Sequence, residues 1–204
     1  MSEIKERPIL FSAPMVRAIL SGQKTVTRRE VKKPAALDCL AAGFEPAFLA
    51  LPGNADLCPY GKVGDRLWVR EAWQADEQVN AIAPRELSHG EPIQYPADGA
   101  SRQTGCSMIT PGKTRPSIHM PRWVSRILLE ITDVRVERLQ AISRSDIRAE
   151  GLECPPELAS DDVSPNYRDW YPAAWRDLWE SINGAGAWDA NPWVWVVEFK
   201  RMTN

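Results

Sequence analysis

Residues 8–29 read PILFSAPMVRAILSGQKTVTRR, and their periodicity changes twice. Pro8 to Phe11 is short, apolar and suited to a strand. Ser12 then supplies a plausible N-cap, with Pro14 in the first turn of the helix that follows. Met15, Val16, Ile19 and Leu20 fall on one helical face, and Gly22 closes it. Residues 24–29 return to an extended habit, because Thr and Val favour strands. The chain therefore opens as strand, helix, strand, and the polar run Lys24-Thr25-Val26-Thr27-Arg28-Arg29 follows directly on the helix.

That run holds chemistry at close spacing. Lys24 can be a point charge or, once desolvated, a base. A Thr hydroxyl becomes a nucleophile when a base lies beside it. Arg28 and Arg29 offer planar forks suited to phosphate or a base edge. The plainer reading is an exposed edge strand whose charges deter pairing with other chains. A phosphate loop is ruled out, because no Gly-rich run precedes Lys24. A Lys in such a polar setting is rarely a packing residue, so its removal is expected to cost chemistry more than folding.

Further along, residues 34–62 carry Pro and Gly with little periodicity and read as a loop-rich insertion. Arg66 to Trp73 (RLWVREAW) alternates like a strand, with Leu67, Val69 and Glu71 on one face and Trp68 and Arg70 on the other. Arg70 and Glu71 then either line a site or pair with each other. Residues 75–117 form a second irregular insertion. Ser125 to Leu139 is rich in branched residues and gives one bent strand or two. Ser143 with Asp146 three residues on begins a short helix that Gly151 stops. Residues 152–169 form a third insertion, acidic and Pro-containing. Pro172 opens another helix, whose stripe Trp175, Leu178, Trp179, Ile182 reads as core. WVWVVEFK, residues 193–200, is a strong last strand. Strands, short helices and long loops indicate an α+β chain built on a small barrel.

The 204 residues are 44% hydrophobic and 25% charged, with a net charge of −2, ordinary for a globular chain. That balance argues against a protein that coats a long duplex. Basic residues gather early (Arg17, Lys24, Arg28, Arg29, Lys32, Lys33), and acids around 146–162. Cys39, Cys58, Cys106 and Cys154 show no Cys-x-x-Cys spacing, and only His89 and His119 could join them. No metal site and no cofactor are expected on that basis. The charged N-terminus is unlike a signal peptide and no apolar run suits a bilayer, so a cytoplasmic, non-membrane protein is expected. His119, in a Pro-flanked loop, is a candidate substrate contact.

The pattern Gly-x-Lys-Thr-x-Thr-x-Arg after a short helix resembles the signature of the ASCH domain, a small β-barrel related to the PUA fold. Gly64-Asp65-Arg66-Leu67-Trp68-Val69, the stretch from Ile127 through the helix at 143–150, and Val194 to Phe199 resemble later segments of that family in the same order. Cys58 to Gly61 and Ser117 to Pro121 resemble stretches of the larger ASCH proteins common in phages and prophages. The resemblance implies a single PUA-like domain over residues 1–204, enlarged by the three insertions. It implies RNA or a modified nucleoside as partner.

Compact ASCH members include amidohydrolases that remove acetyl from acetylcytidine, reported ribonucleases, and proteins thought only to bind RNA. In the amidohydrolases the working residues are a Lys and a Thr of the first motif and a Glu of the helix after the central strand. Those positions fall on Lys24, Thr27 and Glu150 as the implied catalytic set. Thr25, Arg28, Arg29, Arg70, Glu71 and His119 are the candidate substrate contacts. A pure binding module and a metal-independent ribonuclease stand beside the hydrolase.

Overall fold

The N-terminal segment folds as its periodicity dictates. In the computed structural model, which describes residues 3–102, 107, 110–152 and 167–202, β1 (Glu6–Leu10) leads into α1 (Ala13–Leu20). Ser12 holds extended N-cap backbone without a side-chain cap bond, and Pro14 sits in the first turn. Gly22 has φ +81°, the left-handed turn that an L side chain resists. Then comes β2 (Val26–Glu30).

The chain forms two units, Met1–Ser21 with Asp65–Glu130 and Arg201–Asn204, and Gly22–Gly64 with Ile131–Lys200. In the first, β3 (Arg66–Arg70) lies between β1, which it pairs in parallel (Glu6 with Arg66, Leu10 with Arg70), and the start of β6 (Leu128–Arg138), antiparallel, with Leu67 opposite Leu129. The described residues of 75–117 are largely irregular, as expected. A short hairpin, β4 (Ile93–Gln94) with β5 (Ser101–Arg102), organises them. So does a core of Trp73, Ala75, Leu87, Ile93, Tyr95, Met120 and Val124. The Tyr95 hydroxyl donates to the Val124 carbonyl at 2.7 Å, satisfying the buried phenol.

In the second unit β7 (Trp193–Arg201) lies between β6 and β2. Val26 faces Glu198, Arg28 faces Val196 and Glu30 faces Val194. Val194, Trp195, Val196 and Val197 are all buried, which explains a run apolar on both faces rather than alternating. The burial parity of β6 moves by one residue, from Leu129 and Ile131 to Val134 and Val136, so the strand is single but irregular at Thr132–Asp133. The α4 helix (Arg144–Ala149) is capped by Ser143, whose Oγ accepts from the Asp146 N–H at 3.1 Å. With α5 (Tyr167–Asn183) it closes a core of Val26, Leu139, Ile147, Tyr171, Trp175, Trp179, Val194 and Val196.

The architecture is α+β. Three expectations are corrected. Residues 34–62 are not merely looped: α2 (Pro34–Ala41) and α3 (Pro46–Leu49) each begin on a Pro, which fits the first helical position. Pro172 does not open the last helix but lies inside it. Ile182 is 53% exposed and outside the core that Trp175 and Trp179 enter. Of the third expected insertion, residues 153–166 lie outside the described residues, as do Cys106 and Cys154. Among the described residues, no helix is long and apolar enough to cross a membrane.

Candidate active site

The run after α1 is held by two backbone bonds. Thr25 N–H donates to the Ala149 carbonyl at 2.8 Å, and Phe199 N–H donates to the Thr25 carbonyl at 2.9 Å. Lys24 thereby pairs as an isolated antiparallel bridge with Glu150, at the end of α4. Its ammonium donates to the Val26 carbonyl at 2.9 Å, the Glu150 carbonyl at 3.0 Å and Glu150 Oε2 at 2.5 Å. An ammonium has three hydrogens, and these acceptors take all three. Lys24 is 2% and Glu150 5% exposed, so this ion pair is interior. The expectation of a Lys that does not pack is therefore wrong: Lys24 ranks with the largest fully buried side chains.

Burial pushes the Lys24 ammonium below its ordinary value, while the charge and hydrogen bond of Glu150 pull it back up. Burial prevails. The nearby charges of Arg29 and Arg28 push in the same direction as burial.

Arg28 is also enclosed, at 3% exposure. Its guanidinium reaches Glu137 Oε1 (2.6 Å from Nη2), Asp146 Oδ2 (2.5 Å from Nη2) and Glu150 Oε1 (3.4 Å from Nη1). Arg135 extends the cluster, donating to Asp146 Oδ2 at 2.8 Å and Asp133 Oδ2 at 3.2 Å, and pairing with Glu198. Three cations thus meet Asp133, Glu137, Asp146, Glu150 and Glu198. Burial lifts the Asp146 carboxyl, but the hydrogen bond and charge of Arg28, joined by Arg135, hold it below its ordinary value. Arg28, a candidate substrate contact, binds the protein's own carboxylates Glu137, Asp146 and Glu150.

Strand alternation separates the two kinds of residue on β2. Val26 and Arg28 face the ion cluster and the α4–α5 core; Thr27 and Arg29 take the opposite face. Thr27 is buried at 2% exposure, and among the described residues no hydrogen bond joins its hydroxyl to Lys24 or Glu150. Thr25 is exposed. The charge of Arg29 acts on Tyr60, whose phenol burial nonetheless pushes up.

The remaining candidates belong to the first unit. Glu71, 1% exposed, is gripped by Arg126, Nε to Oε1 at 2.8 Å and Nη2 to Oε2 at 2.9 Å. Arg126 also binds Asp98 and lies 4.1 Å from the centre of the Tyr95 ring. Glu71 therefore pairs with Arg126 and not with Arg70. Arg70 lies over Trp68, 4.9 Å from its ring centre, and lines a cavity with the exposed His119. Among the described residues, no three His, Cys, Asp or Glu side chains gather as a metal site.

The sequence did not single out Glu137, Arg135 or Glu198. Their only local mark is charge at alternate strand positions, and the partners become evident only once β6, β7 and β2 are in register.

No family model and no curated protein matches the chain. Among solved structures, a crystal structure of an Enterococcus faecalis V583 protein, described as family-model DUF984, aligns over 91% of this chain with 12% identity and a TM-score of 0.34. The chain spans 65% of that protein's length.

Proposed function

We propose that the chain is an ASCH-type protein with a PUA-like barrel, directed at RNA or a modified nucleoside, and that it hydrolyses an acylated base at Lys24, Thr27 and Glu150. The observation that carries this reading is the interior contact of Lys24 with Glu150 at 2.5 Å across 126 residues of sequence. The resemblance names that Lys and that Glu as working partners. Burial drives Lys24 toward the neutral amine that a base must be.

In the proposed reaction the Thr27 hydroxyl attacks the acetyl carbon of an N-acetylated cytosine. The O–C bond forms, the C–N bond breaks, and the hydroxyl proton passes by way of the Lys24–Glu150 pair to the departing amine. That relay requires the Thr27 hydroxyl, which among the described residues makes no hydrogen bond to the pair in the resting arrangement, to come within reach of it. Water then attacks the Thr27 ester, one of its protons restoring the Thr27 hydroxyl, and acetic acid leaves and ionises to acetate and a proton. Each step conserves charge without a metal or a cofactor. Because the ammonium donates all three hydrogens in the resting arrangement and has no lone pair, Lys24 acts as base only after passing one proton to Glu150 Oε2, and Glu150 then delivers that proton to the departing amine.

That same saturation favours a second reading, in which Lys24 and Glu150 are structural and the chain binds a base without turnover. Incubation with acetylcytidine, read by chromatography for cytidine and acetate, separates the two. Under the hydrolase reading wild type turns over, Thr27→Ser retains part of the rate, and Thr27→Val loses it. The rate rises with pH toward the depressed pKa of Lys24, below its ordinary 10.5. Absence of turnover overturns the hydrolase; full activity in Thr27→Val overturns Thr27 as its nucleophile.

A further inference from the structure

The first unit contains a cavity of about 350 Å³ bordered by Arg70, Arg85 and His119, with Pro84, Met120 and Pro121 as apolar wall. We infer that this cavity binds the phosphate of a small planar organic anion, a nucleoside monophosphate, with Arg70 and Arg85 as the phosphate contacts. The choice of a nucleotide among phosphorylated planar compounds rests on the function proposed above; the anion site itself rests on the cavity.

Three features support it. First, the volume falls at the lower end of small-molecule sites, roughly 300–1,000 Å³, which suits one nucleotide and not a long strand. Second, the charge is one-sided. The lining has two arginines and a histidine and no carboxylate. Glu86 pairs with Arg85 only at 3.6 Å in an exposed position, where such a pair is weak and easily exchanged.

Third, Arg70 is oriented but not neutralised. Its Nε donates to the Met120 carbonyl at 3.3 Å, and its guanidinium lies over the Trp68 ring. Among the described residues no carboxylate pairs with it, whereas Arg126 binds both Glu71 and Asp98. A guanidinium fixed on an aromatic face with its terminal N–H groups uncommitted is preorganised for a phosphate oxygen pair. The apolar wall offers a base a dry surface, and the His119 ring can meet its face.

Isothermal titration of the full chain with cytidine 5′-monophosphate tests this, with cytidine and inorganic phosphate as comparison probes. The monophosphate is expected to bind at least about tenfold tighter than either probe, a difference of about 1.4 kcal/mol. Arg70→Gln and Arg85→Gln are each expected to weaken it about tenfold, and added salt to weaken it further. Arg85 is exposed, so its variant reports on binding even if Arg70→Gln folds poorly. Equal affinity for cytidine, unchanged affinity in both variants, or no heat with the monophosphate overturns the inference. Retained deacetylation with no monophosphate binding sinks this site alone; binding without deacetylation sinks the hydrolase alone.

Discussion

Replacing Lys24 with Met removes the ammonium and leaves the Glu150 carboxylate, its side chain 2% exposed, with, among the described residues, only Arg28 Nη1 at 3.4 Å. Breaking a buried pair from one side typically costs about 3–5 kcal/mol, because the surviving charge is stranded in low dielectric. The Val26 and Glu150 carbonyls also lose a donor, within the same range. For a chain of this size each kcal/mol moves the melting temperature by about 2–4 °C, so Lys24→Met is expected to melt roughly 6–20 °C below wild type. Removing the partner as well, in Lys24→Met/Glu150→Gln, eliminates the stranded charge, so the double variant is expected to be less destabilised than the sum of the single ones by at least about 1.5 kcal/mol. Urea unfolding followed by tryptophan fluorescence measures all four corners of the cycle. A Lys24→Met protein within about 2 °C of wild type, or single effects that add within about 0.5 kcal/mol, would refute an interior ion pair as the bond between α4 and the residues before β2.

At Gly112 an added Cβ would lie 2.5 Å from Asn80 Oδ1 and 2.8 Å from the Ala75 carbonyl, so Gly112→Ala is expected to cost about 1–3 kcal/mol by overpacking; a melting curve superimposable on wild type contradicts this. Asp146 has a folded pKa held below its usual 3.8, so its pairing stabilises the fold above that value and the benefit is lost as pH falls through the lowered folded value. Urea midpoints taken from about pH 6 down to pH 3 are therefore expected to fall more steeply for wild type than for Asp146→Asn, and equal slopes would remove Asp146 from the acid-sensitive set.

Local chemistry made much of the fold legible. Ser12, Pro14 and Gly22 bounded α1, the alternation of RLWVR gave β3, and Ser143 with Asp146 began α4, because each signal acts within a few residues. Pro172 misled for a related reason. Pro suits a first turn, and the acidic, Pro-containing stretch before it offered no apolar period to reveal that the helix had already begun at Tyr167. The Pro-initiated α2 and α3 went unread because neither carries a full amphipathic face: Ala36 is the buried residue of one and Leu49 of the other. The pairing of Lys24 with Glu150 was legible through family resemblance alone, since nothing local joins residues 126 apart. The carboxylate partners of Arg28 are not legible in the sequence, because a guanidinium suits a phosphate and a carboxylate equally well. Only the meeting of β2, β6 and α4 supplies Glu137, Asp146 and Glu150 as its partners.

Glu150 sits at the C-cap of α4, where the helix dipole disfavours an acid. Lys24 reverses that penalty: one ammonium binds both the Glu150 carbonyl and its carboxylate, placing a cation at the helix end and neutralising the acid in the same contact. The pair consequently has a full structural rationale before any chemistry is considered. Loss of activity in a Lys24 or Glu150 variant then measures folding and catalysis together, and the two cannot be separated by rate alone. Thr27 lies outside this network, on the other face of β2, and Thr27→Val preserves its shape while removing one hydroxyl. A Thr27→Val protein that melts like wild type, yet no longer deacetylates, isolates the nucleophile from the scaffold. If the same protein remains fully active, Thr27 is not the nucleophile; if wild type itself shows no turnover, the Lys24–Glu150 contact is a helix-end clamp, and the binding module is the reading that survives.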